Sequence, residues 1–128
     1  MILFQAHSGF RYLVLLAGLL VIGYAAYGVL TKRPYDKTMR ILSFAFVMSI
    51  DLTALLGLAY LFVGTFYPQL GGHIVTMLLA VVVAHVVSAV MKRRPLEERT
   101  YMPHLLGTVI VLGMVAMGIL SIGRPIVG

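Results

Sequence analysis

The sequence predicts an all-α fold: a transmembrane four-helix bundle, up-down-up-down, with both termini outside. Three observations predict it. Four apolar segments, at about 9–30, 39–63, 72–91 and 103–123, each reach the roughly 20 residues that cross ~30 Å of hydrocarbon at 1.5 Å per residue. The 128 residues are 61% hydrophobic and only 11% charged, against about 25% in soluble domains, too few charges to cover a water-facing surface. Eight of the ten Lys and Arg residues fall in or beside two short loops, a positive-inside pattern that puts those loops in the cytoplasm. This length suits one transmembrane domain over 1–128. The basic residues mark topology and form no face for nucleic acid, and the location they imply is a membrane with those two loops on its cytoplasmic side.

The first segment follows MILFQAHSGF, which has neither the positive n-region nor the cleavage site of a signal peptide, so it stays in the mature chain. It ends before TKRPYDKTMR, which holds Lys32, Arg33, Lys37 and Arg40; Pro34 stops the helix. The second segment carries one acid, Asp51, in FVMSIDLTALLG. An uncharged loop, GTFYPQLGG, leads to the third segment, GHIVTMLLAVVVAHVVSAVM. There Ala80, Ala84 and Ser88 recur every four residues on the face shared by His73 and Met77, suited to close packing of a helix or a flat ligand. KRRPLEERT follows, with Lys92, Arg93, Arg94 and Arg99, and Pro103 fits the first turn of the fourth helix. Phe4, Phe10, Tyr12, Phe62, Phe66 and Tyr67 form an expected outer aromatic belt, and Tyr27, Tyr35 and Tyr101 an inner one. Gly18, Gly23, Gly28, Gly57, Gly107, Gly113 and Gly118 mark expected helix contacts, because small residues let backbones approach in lipid.

Two polar groups can meet only at similar depth. His7 and His73 both stand where a helix enters from outside, so they share a level. Arg11 and Met77 lie one turn deeper, each four residues on and on the same face as its histidine. Gly18, eleven residues past His7, returns to within about 20° of that face. Two imidazoles, a thioether, an arginine and small residues match the needs of a b-type haem: His7 and His73 on the iron, Arg11 on a propionate, Met77 beside them. The plainer alternative keeps both histidines at the interface, with Arg11 snorkelling to headgroups.

Deeper, Asp51 and His85 each lie about 20 Å from the outer helix ends. A hydrogen-bonded pair is the cheapest way to keep an acid there; it could relay protons, orient a ligand or only fix helix register. His104 falls near the cytoplasmic interface. Twelve residues separate His73 from His85, a rotation of about 120°, so the two point to different faces and a two-haem arrangement is disfavoured. The chain has no cysteine, which excludes thiolate metal sites and c-type haem attachment. Nucleotide-binding, zinc-protease and serine-hydrolase motifs are absent, so no catalytic residue is assigned.

At HSGFRY (His7 to Tyr12), LLGLAYLF (Leu55 to Phe62) and GHIVTMLLAVVVAH (Gly72 to His85) the chain resembles a group of small bacterial four-helix membrane proteins. These begin with a His-Ser-Gly-x-Arg-aromatic motif and carry a His-x-x-x-Met near the start of the third helix; some are labelled cytochrome b-like. The resemblance implies that His7, Arg11, His73 and Met77 belong together. The chain departs from that pattern at Asp51, where a histidine occurs. Three functions stay open: haem b electron transfer near the outer face, to or from a quinone; a non-catalytic accessory or assembly subunit of a respiratory or photosynthetic complex; and proton or small-solute conduction through Asp51 and His85. Expected partners are the lipid bilayer, a quinone or larger membrane complex, and a second copy of the chain.

Overall fold

The structure, a computed structural model, describes residues 2–64 and 68–126, the side chain of Gln69 excepted. Four helices account for most of them: α1 (Ile2–Thr31), α2 (Lys37–Val63), α3 (Pro68–Arg93) and α4 (Met102–Ser121), with a short 3-10 turn at Leu96–Glu98. All four are long and apolar enough to cross a membrane, and the protein is a small polytopic membrane protein. Its surface agrees: Leu16, Leu19, Leu55, Phe62, Val82, Ile110 and Met117 are all more than half exposed, as side chains facing lipid are. Within the bundle a narrow core runs from Val14, Val21 and Ala25 through Phe46, Ile50, Ala80 and Ala84 to Val111, Val115 and Ile119.

Long-range pairs fix the topology. His7 near the start of α1 meets Thr53 in the second half of α2, and His73 near the start of α3 meets Gly118 near the end of α4. The two histidines adjoin one another, so both chain termini lie at that end, here the terminal end. At the opposite, basic end, Tyr101 packs on Gly28 and Tyr35 bonds to His104. The bundle is therefore up-down-up-down. The α1–α2 and α3–α4 hairpins pack tightly, α1 against α4 joins them, and α2 and α3 meet least closely, leaving a seam on one side.

Local chemistry sets the helix ends. α1 closes in a Schellman-type turn, with Lys32 left-handed at φ 55° and the Arg33 N–H bonded to Gly28 O at 3.1 Å. Asp36 caps α2 by accepting the Met39 N–H at 3.0 Å. The Tyr24 hydroxyl and Arg33 also donate to Asp36. These donors, Tyr24 foremost, hold its carboxyl below its ordinary value.

Several expectations need correction. α1 begins at Ile2 and α3 at Pro68, earlier than residues 9 and 72, because nothing in ILFQAHS breaks a helix and proline suits a first turn. His7 and His73 therefore lie inside their helices, yet remain level because both starts moved outward. Gly18 packs against Leu112, Gly28 against Tyr101 and Gly107 against Val87, but Gly23 and Gly113 face open space and mark no helix contact. Tyr101 is buried at 3% exposure, so it is no interfacial aromatic; its hydroxyl donates to Pro34 O at 2.8 Å and ties the two basic loops together. Phe66 and Tyr67 of the outer belt lie outside the described residues.

Candidate functional site: a two-histidine cavity at the terminal end

A cavity of about 240 Å³ opens between all four helices at the terminal end. His7, Ser8, Arg11, His73, Met77 and Arg124 supply its polar and sulfur-bearing wall, and Ile50, Leu58, Leu61, Leu78, Val81 and Val115 are among its apolar lining. At the α2–α3 seam the lining residues Leu58 and Leu78 are each about half exposed.

The two histidines are held in matching ways. The His7 Nδ1–H donates to the carbonyl of Thr53 on α2 at 2.8 Å, and the His73 Nδ1–H donates to the carbonyl of Gly118 on α4 at 2.8 Å. A carbonyl can only accept, so each ring carries a proton on Nδ1, and Nε2 is the nitrogen left without a hydrogen bond among the described residues. The ring centres stand 6.4 Å apart with planes at 88°. Gly57 makes room for His7: a Cβ there would come within 2.8 Å of the ring's Cε1. Met77 packs against Gly118, one turn along α3 from His73.

Arg11 reaches the rim but is already engaged. It donates to the carbonyl and hydroxyl of Ser8, to the Tyr12 hydroxyl and, from Nε, to Ile126 O at 3.2 Å. The guanidinium of Arg124 stacks over Phe4 at 4.6 Å and makes no hydrogen bond among the described residues. Arg124 was not among the expected site residues. Thr53 and Gly118 were missed as partners because a carbonyl acceptor leaves no trace in residue type. Gly18 packs on Leu112 and does not line the cavity. Ala80 lines its floor, while Ala84 is buried in helix packing.

Asp51 and His85 do pair: His85 Nε2 lies 2.8 and 3.0 Å from the two carboxylate oxygens. The pair faces outward, however, with side chains 33% and 51% exposed at the α2–α3 seam. It stands apart from the cavity, one turn below the lining residues Ala54 and Val81. His104 is buried at 3% exposure, and its Nε2 shares a 2.7 Å hydrogen bond with the Tyr35 hydroxyl. His85 and His104 thus have separate partners.

Chemically, the cavity offers two imidazole nitrogens, a nearby thioether and a rim cation inside an apolar enclosure. No group of three or more His, Asp, Glu or Cys side chains suited to a metal ion occurs among the described residues. A centre held here must bring most of its own coordination sphere. No protein-family model, curated protein or solved structure matches the chain, so the functional reading rests on the site itself.

Proposed function

We propose that the chain is a small membrane electron-transfer protein that binds one b-type haem between His7 and His73. The carrying observation is the pair of imidazoles with Nδ1 bonded to backbone carbonyls and Nε2 unengaged among the described residues, at one level in one apolar cavity. A haem needs only two ligands from the protein, because its ring supplies the other four nitrogens; two are what the cavity offers. The imidazole ring centres stand 6.4 Å apart, close enough for both imidazoles to reach one bound group.

The surrounding residues support the same reading. Hydrogen bonds from Nδ1 to carbonyls orient axial histidines and raise their basicity. Arg124, with its guanidinium donors unengaged among the described residues, is the rim cation best suited to a propionate, and Arg11 stiffens that rim through Ser8, Tyr12 and Ile126. Bound haem would carry single electrons; the protein holds it and keeps water from it. With the basic loops in the cytoplasm, the site lies near the outer surface of the membrane.

The test is haem and iron content of protein purified from haem-replete cells. The proposal expects one of each per chain, and loss of both in His7→Ala and in His73→Ala with helicity retained. Colourless, iron-free wild-type protein would overturn it.

A further inference from the structure

The Asp51–His85 pair occupies an unusual position. Asp51 lies about 18 Å along α2 from Val63 and about 21 Å from Lys37, close to mid-membrane. Yet the pair points away from the bundle, His85 more than half exposed. Around it spreads a broad apolar face: Phe44, Met48, Leu55 and Leu58 on α2, Leu78 and Val82 on α3, all exposed. Ionisable groups facing hydrocarbon are rare because water is absent there to solvate them.

The hydrogen bonding is also incomplete. His85 uses only Nε2; its Nδ1 has no partner among the described residues. Both oxygens of Asp51 share the one Nε2–H, which leaves acceptor capacity over. Each copy therefore presents an unused imidazole nitrogen beside an unsaturated carboxylate. That combination is self-complementary.

We infer that this face is a homodimer interface, with the two Asp51–His85 pairs joined at its centre. Copies inserted in the same direction are related by a two-fold axis along the membrane normal, which brings equal depths face to face. The His85 Nδ1 of one copy then meets the Asp51 carboxylate of the other, and the reverse contact follows by symmetry. The two imidazoles and two carboxyl groups close a ring of four hydrogen bonds, one proton in each contact, shielded from lipid by the leucines around it. An unrelated partner would need matching groups at the same depth, whereas a second copy has them by construction. Leu58 and Leu78, which line the cavity, lie on this face, so the same contact covers that wall of it. The inference stands independently of what the cavity binds.

The chain has no cysteine, so single introduced cysteines report contacts cleanly. Leu55→Cys lies on the proposed interface; Leu16→Cys, on α1 and 57% exposed, does not. Oxidation in liposomes over a range of protein-to-lipid ratios should link Leu55→Cys into a species of twice the 14.0 kDa chain mass, at least tenfold more than Leu16→Cys. Adding D51L/H85L, an apolar pair suited to a lipid-facing site whether or not dimers form, should lower that yield at least tenfold and give a monomer by native mass spectrometry. A monomeric wild type, equal linking at Leu16→Cys, a linking yield unchanged by D51L/H85L, or a different protein held in place of the second copy would each overturn the inference.

Discussion

Gly57→Ala probes how the first imidazole is seated. The His7 ring lies against α2 at Gly57, and its Nδ1–H bonds to the Thr53 carbonyl one turn earlier on the same helix. A Cβ at residue 57 would stand 2.8 Å from Cε1 and 3.1 Å from Nδ1, with the ring rather than a flexible chain end in its way. Ordinary carbon contact at about 3.5–4.0 Å requires the ring to withdraw from α2 by roughly 1 Å. The 2.8 Å bond to Thr53 then passes beyond hydrogen-bond range. Leaving a part-buried donor unmet costs about 1–3 kcal/mol, and loss of a partner that orients a metal-bound histidine lowers affinity by about 10–100-fold. Alanine regains up to about 1 kcal/mol of helix propensity, so melting temperature is a blunt readout and affinity the sharp one. Haem titration of apoprotein in detergent, followed at the Soret band, should show the weakening in Gly57→Ala. Gly118→Ala is the control: its Cβ meets the methyl end of Met77 at 2.6 Å, which can swing aside, and the carbonyl holding His73 stays in place. Its affinity should remain within a few-fold of wild type. Equal affinity of wild type and Gly57→Ala would refute the seating of His7 against α2.

At the basic end, Gly28→Ala should destabilise the bundle by about 1–3 kcal/mol by overpacking, since the new Cβ would sit 2.5–2.7 Å from the buried Tyr101 ring; thermal unfolding in detergent reports it. Asp36 gives a pH signature. Its folded pKa is depressed, so its contribution is fully present above its ordinary value of 3.8 and is lost as pH falls through the folded value. Asp36→Asn should therefore be less stable than wild type near neutrality, with the gap closing below pH 3.8; a gap that persists or widens in acid would contradict the assignment.

How much of this was legible in the residues follows from physics at two scales. Hydropathy and charge act along one chain, so four spans and the grouping of basic loops could be read directly. Depth is also a one-dimensional quantity, which is why the pairing of Asp51 with His85 and the common level of His7 and His73 could be reasoned out. Rotation of one helix against another depends on packing between segments, and there the reading failed. It did not reveal that Asp51–His85 faces outward, that Gly23 and Gly113 face open space, or that Tyr101 is buried against Gly28. The carbonyls of Thr53 and Gly118 were hidden for a different reason: every residue has one, and only the fold selects which of them a histidine finds.

The central claim is that His7 and His73 together hold one haem. A reduced-minus-oxidised absorption spectrum of purified protein, beside His7→Ala and His73→Ala, tests it most directly. The account predicts a sharp, six-coordinate low-spin b-type spectrum in wild type, absent from both variants. A featureless wild-type spectrum from haem-replete cells, or a haem spectrum that survives either substitution unchanged, would contradict it.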